Sequence, residues 1–228
     1  LYQHLHSHGV DVPSFYIVKE NDDLIQKVYA LGYPDSPVVI KPSVGNGSRG
    51  IRVLDESINK YDLLFNHKPT AIFSNLQNIK DSIKDMKIPE MVVSEFLPGP
   101  ELTIDTLIDN GKVLLCLIRK RKTMSGGIST SGTFIEDSNV TKYIDKIVKT
   151  LPGLSGPIGF QVKQAIDGRF LLLESNPRIQ GTSVASMGLN INLPVLAVEH
   201  AMGNKLKINK KKTGVSFVRY FSEVFYDN

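Results

Sequence analysis

The chain has 228 residues, 41% of them hydrophobic, which is enough to bury a core in one large domain or two modest lobes. No run approaches the ~20 apolar residues of a membrane-crossing helix, and the polar opening residues 1–8 exclude a signal-peptide core, so a cytoplasmic protein is expected. A formal net charge of +4, from 27 basic and 23 acidic side chains, is too mild an excess to argue for nucleic acid.

Residues 2–8 read as the end of a helix stopped by Gly9, with Pro13 forbidding continuation. A strand over 15–18 precedes a helix over 21–31, whose Leu24, Ile25, Val28 and Leu31 fall at helical spacing. Strands over 38–40 and 51–54 flank a glycine-rich loop, a helix covers 58–66, and the polar stretch 74–89 reads as a helix with connecting loops. Residues 91–96 form another strand, and Pro98-Gly99-Pro100 breaks the chain between two lobes. Strands over 101–108 and 112–119 make a hairpin across Asn110-Gly111, and a second hairpin joins 159–166 to 170–174 across Asp167-Gly168. Helices are expected over 140–151 and 193–202. Consecutive hairpins with interspersed helices imply an α+β fold with mainly antiparallel sheets, not a doubly wound parallel sheet. Leu1 is not an initiator residue, so the chain reads as a piece of a longer protein.

Cys116 lies in an apolar run, cannot form an internal disulfide, and is expected to be a buried core thiol. Of the two basic runs, 205–212 reads as a solvated loop or helix end, whereas 119–122 is open between a solvated run and a phosphate- or substrate-facing patch.

Gly45-Asn46-Gly47-Ser48-Arg49-Gly50 matches the G-x-G-x-x-G dinucleotide pattern. That pattern needs a helix to open at the loop, and the β-branched run from Ile51 follows instead. A flap between two strands, with backbone N–H groups folding over phosphates, fits the context. An ordinary glycine-rich hairpin is the simpler reading. Lys41 argues against it, because a lysine ending an apolar strand before such a loop would place a compact charge beneath phosphates.

The apolar run 170–173 delivers Glu174, Asn176 and Arg178, which share a side if strand alternation persists. A carboxylate and an amide oxygen suit Mg2+, a guanidinium suits a phosphoryl group, and Gln161 on the neighbouring strand could add a ligand. A surface ion pair beside a satisfied Asn is the alternative.

These motifs resemble the ATP-grasp superfamily, and within it the carbamoyl phosphate synthetase large subunit and its standalone relatives. The resemblance runs from Val10 to Gly203 through Val-Ile-Lys-Pro and the flap, Ser-Glu-Phe-Leu-Pro-Gly-Pro-Glu at 94–101, Gln161, and Glu-Ser-Asn-Pro-Arg at 174–178. It implies two α+β lobes that clamp ATP, with residues 14–94 as a small lobe and 95–228 as a large one. Residues 1–13 would then be the end of a helix from a missing N-terminal lobe, itself supplied by the longer protein or a partner subunit.

Carried over by resemblance, Lys41 binds phosphate and Gly45, Asn46, Gly47, Ser48, Arg49 and Gly50 form the flap. Glu95, Phe96 and Leu97 match the adenine hinge, and Glu101 the residue that holds the ribose hydroxyls. Gln161, Glu174 and Asn176 match the ligands of Mg2+, for which Mn2+ could substitute, and Arg178 the group that steadies the γ-phosphoryl group. Arg178-Ile179-Gln180 is also similar to a run in biotin carboxylase near its bicarbonate. The implied activity is an ATP-dependent ligase that joins a carboxylate or bicarbonate to an amine through an acyl phosphate. The competing classes are a non-catalytic ATP-binding regulatory module and, against the charge balance, a nucleic-acid-binding domain.

Overall fold

The computed structural model describes all residues except 46–48, 67–71, 126–127, 209–211, 213 and 228, and except the side chains of Lys60, Leu63 and Ser125. In chain order the elements are α1 (Tyr2–Ser7), β1 (Phe15–Val18), α2 (Asn21–Ala30), β2 (Val38–Pro42), β3 (Arg52–Leu54), α3 (Lys60–Phe65), β4 (Phe73–Ser74), α4 (Leu76–Ile83) and β5 (Met91–Glu95). There follow β6 (Glu101–Asp109), β7 (Lys112–Ser125), β8 (Ile128–Ile135), α5 (Ser138–Lys149), β9 (Gly156–Gln164), β10 (Phe170–Asn176), a 3₁₀ turn over Ser183–Leu189, α6 (Leu193–Ala201) and β11 (Ser216–Val218). They fall into two compact units, Pro13–Leu97 and Leu1–Val12 with Pro98–Asn228.

Pro13–Leu97 carries a five-stranded sheet in the order β1-β5-β2-β3-β4, antiparallel except for the short β3–β4 pair. Alternation sends Val38 and Ile40 inward with Met91 and Val93, where they meet Leu24 and Val28 on one stripe of α2 and Leu76 at the start of α4. Lys41 is consequently on the sheet face opposite Ile40.

The second unit carries a six-stranded antiparallel sheet in the order β10-β9-β6-β7-β8-β11. On one face Leu102, Ile104, Ile118, Ile158, Phe160 and Val162 pack against Leu5 of α1 and Val140, Ile144, Ile147 and Val148 of α5. Each such fully buried side chain contributes about 1.5–3 kcal/mol. On the opposite face Leu107, Leu115, Leu117 and Phe134 are covered by Leu189, Ile191, Leu193 and Leu196. That cover reaches only part of the sheet, and the strand ends beyond it carry Glu101, Thr103, Arg121, Gln161, Lys163 and Glu174.

The β6–β7 hairpin turns on Asn110 and Gly111, both at positive φ (44° and 77°), as a tight two-residue connection requires. Two strands depart from the sequence reading. β7 continues to Ser125, and Ile128–Ile135, where no element was expected, is a strand; β11 then pairs with its outer edge. Cys116 is half-buried against the α5-side core instead of wholly enclosed.

Candidate functional site

Glu174 gathers the residues around it. Its Oε1 accepts a hydrogen bond from Gln161 Nε2 at 2.6 Å and another from Asn176 Nδ2 at 2.8 Å. Glu174 is opposite Gln161 in the β10–β9 register, and Gln161 is in turn opposite Thr103 of β6, so one row of the sheet presents all three on the same face. Arg178, just past the end of β10, donates to Asn176 Oδ1 at 3.4 Å and to the carbonyl of Ile179 at 3.2 Å. The structure thus brings Gln161, Glu174, Asn176 and Arg178 together.

The donor set fits a hard cation. Turning the two amides about their terminal bonds would present their oxygens beside the carboxylate, giving three oxygen donors with a single negative charge. Among the described residues no group of three or more His, Cys, Asp and Glu could hold a metal by itself. Such a set suits Mg2+ brought in with phosphates, which supply the remaining charge.

Next to this row, Arg121 of β7 is 3.0 Å from Glu101 Oε1 and donates through Nε to Thr103 Oγ1 at 2.8 Å. Burial raises the pKa of Glu101, an effect that the cations Arg121 and Lys163 oppose and Glu174 reinforces. Lys163, directly across from Glu101 on β9, is lowered by burial against the pull of that carboxylate.

Beneath Gln180 lies a buried polar network that sequence reasoning missed. Arg119 NH2 is 2.6 Å from Asp105 Oδ2, with both side chains only 2% exposed. Asp105 Oδ1 accepts from Ser183 Oγ at 2.6 Å and from Gln180 Nε2 at 3.0 Å, and Arg119 NH1 donates to the Thr182 carbonyl at 2.9 Å and to its hydroxyl. The chain following Arg178 is therefore fastened to β6 and β7. Gly159 makes room for it: a Cβ there would be 2.3 Å from Gln180 Cδ. Gln180, the last residue of the run similar to one in biotin carboxylase, spends its amide on Asp105 and the Ile104 carbonyl. The signal was present in Glu101, Thr103 and Asp105, three polar residues alternating with Leu102 and Ile104 along β6. Likewise Arg119 and Arg121 leave the solvated reading of 119–122, since both face carboxylates, while Lys120 and Lys122 are exposed.

In the other unit, Lys41 is near the end of β2, half-buried and opposite Val92. Of the flap, Gly45, Arg49 and Gly50 are described, and Asn46, Gly47 and Ser48 lie outside the described residues. Gly50 has φ of 74°, and a Cβ there would be 2.7 Å from Pro42 Cγ, so only glycine brings the loop back over β2. Glu95 ends β5 and accepts from the Ser14 amide at 2.7 Å; Phe96 follows half-buried and Leu97 is buried. Gly126 and Gly127, to which the basic run leads, and Lys210 and Lys211 of the second run also lie outside the described residues. Among the described residues no helix is long and apolar enough to cross a membrane.

Solved structures of the same fold include the L-amino acid ligase from Bacillus licheniformis, with a TM-score of 0.60 and 19% identity over 88% of this chain and 45% of that one. An ADP complex of N5-carboxyaminoimidazole ribonucleotide synthetase gives a TM-score of 0.71 and 12% identity over 94% and 53%. The biotin carboxylase domain of 2-oxoglutarate carboxylase from Hydrogenobacter thermophilus, with MgADP and bicarbonate, gives 0.67 and 18% over 94% and 47%. The chain thus spans about half the length of these proteins. Residues 87–223, which include the whole Gln161–Arg178 cluster, match the family described as ATP-grasp in the biosynthetic pathway with Ter operon. With more than half of its length matched, the chain belongs to this ATP-grasp family.

Proposed function

We propose that this chain is the ATP-grasp portion of a Mg-ATP-dependent ligase that joins a carboxylate, or bicarbonate, to an amine. The observation that carries the reading is the convergence of Gln161, Asn176 and Glu174 within 2.8 Å on one carboxylate oxygen, beside Arg178. A bound Mg2+ would neutralise phosphate charge. Glu174 and the amide oxygens of Gln161 and Asn176 would hold it, and Arg178, with five donors, would orient the oxygens of the transferring phosphoryl group.

Lys41 and the flap residues Gly45 to Gly50 would bind phosphates, Glu95, Phe96 and Leu97 the adenine, and Glu101 the ribose hydroxyls. Arg121 engages Glu101 through Oε1, and a carboxylate offers about four lone-pair sites, so the pairing leaves room for hydroxyl donors. In the proposed reaction a carboxylate oxygen attacks the γ-phosphorus and the bond to ADP breaks. The amine nitrogen then attacks the acyl carbon, phosphate leaves, and the nitrogen loses a proton to solvent. The protein's contribution is positioning and electrostatics. The ligase and carboxylase identities of the fold neighbours support the reading.

The test is ADP release during a screen of amino acids and bicarbonate as substrates, using the full-length protein. Release that requires a particular carboxylate and amine, and that Glu174→Ala abolishes, is expected. Nucleotide binding without any acceptor-dependent ADP release would favour a regulatory module instead.

A further inference from the structure

Along β10 the register places Leu171 opposite Lys163 and Leu172 opposite Val162, then jumps to Glu174 opposite Gln161, leaving Leu173 as an extra residue. Side chains alternate along a strand. Without the extra residue Glu174 would share the face of Leu172, which is packed with Phe160 and Val162 in the α5-side core. Asn176 would be turned inward with it. The bulge reverses the parity, so that Leu172 stays in the core while Glu174 and Asn176 emerge beside Gln161.

β10 is an edge strand of its sheet, so backbone groups around the bulge that face away from β9 need other partners. Two tyrosines from the helices of the opposite face meet them. The Tyr2 hydroxyl, on α1, donates to the carbonyls of Leu172 at 2.7 Å and Leu173 at 3.1 Å. The Leu172 amide donates to the Tyr143 hydroxyl, on α5, at 3.0 Å, and that hydroxyl passes its own proton to the Asp11 carbonyl at 2.7 Å. Burial pushes Tyr143 up to about 12 and raises Tyr2 as well, so both are protonated donors at neutral pH.

We propose that Tyr2 and Tyr143 are positioning residues whose hydroxyls hold the Leu173 bulge and thereby aim Glu174 and Asn176 at the metal. The proposal rests on the reading of Glu174 as a metal ligand and adds to it the device that selects its face. Phenylalanine at either position keeps the ring that packs on the core and deletes only the hydroxyl, which isolates the effect from packing.

The experiment uses the full-length protein with ADP, with Mn2+ as the probe measured by electron paramagnetic resonance, alongside backbone amide hydrogen exchange across residues 172–176. Tyr2→Phe and Tyr143→Phe are each expected to weaken Mn2+ binding by the ADP complex on the order of tenfold, as loss of a group that orients a ligand does. Exchange at the bulge should accelerate, and metal-free ADP affinity should hold. Ile144→Val, which loosens the same core without touching the bulge, should leave Mn2+ affinity unchanged.

If Glu174→Ala lowers Mn2+ affinity while both tyrosine variants retain it, the positioning role is overturned and the ligand reading survives. If Ile144→Val weakens Mn2+ as much as the tyrosine variants do, the effect is general loosening and the proposal fails. If Glu174→Ala itself has no effect, the ligand reading fails and the proposal falls with it.

Discussion

The Asp105–Arg119 pair shows what a single buried charge demands. Both side chains are removed from water and each is answered by the other and by the 180–183 segment. Removing one partner strands the other, so Arg119→Met should lower stability by about 3–5 kcal/mol in urea unfolding. Replacing both residues with apolar ones of similar size should restore much of that loss, because no unpaired charge remains. A double variant that loses as much stability as the Arg119 and Asp105 single variants added together would contradict a direct pairing.

Glu101 gives a pH-dependent counterpart. Its folded-state pKa is raised by burial, so its contribution to stability is present below the ordinary glutamate value of about 4.3 and is lost as pH rises through the folded value. Relative to Glu101→Gln, the wild type should therefore lose stability over that rise. A flat difference between the two unfolding curves from acid to neutral pH would refute the sign.

At the scale of elements, the close approach of Gln180 to Gly159 makes β9 a sensitive point. Gly159→Ala should cost about 1–3 kcal/mol by overpacking and should displace Gln180 from Asp105, seen as a lowered unfolding midpoint with faster amide exchange across 180–183. Most strands and helices were legible in the sequence because their apolar periods are clean, as in α5 with Val140, Ile144 and Ile147. β8 was not, since Ser129, Ser131, Gly132 and Thr133 read as loop chemistry. Its glycine is there because a Cβ would be 2.7 Å from the Lys120 carbonyl and 2.9 Å from the Phe217 ring. The bulge in β10 was equally hidden. Leu171, Leu172 and Leu173 are chemically identical, so no hydrophobic pattern tells which of them is the extra residue.

Across the whole molecule, the groups that fasten the site come from distant stretches of chain. Tyr2 reaches carbonyls 170 and 171 positions away, and Tyr143 ties Asp11 to Leu172. Such contacts follow from topology and leave no local trace, whereas ligand-type residues such as Glu174 and Asn176 announce themselves by chemistry within a short run. That difference explains why the metal-type cluster could be anticipated and its supports could not. The acceptor side of the proposed reaction was not legible for a related reason: a substrate pocket is written in shape, and the hydroxyl-rich strand β8 and the 180–187 segment carry no distinctive residue pattern.

Glu174, Gln161 and Asn176 are proposed to hold the metal of a metal–nucleotide complex. Calorimetric titration of ATP, with and without Mg2+, into the full-length wild type and Glu174→Gln tests it directly. Mg2+ is expected to tighten ATP binding on the order of tenfold or more in the wild type, and the substitution to remove this gain, while metal-free binding stays similar. An equal gain from Mg2+ in both proteins would contradict it.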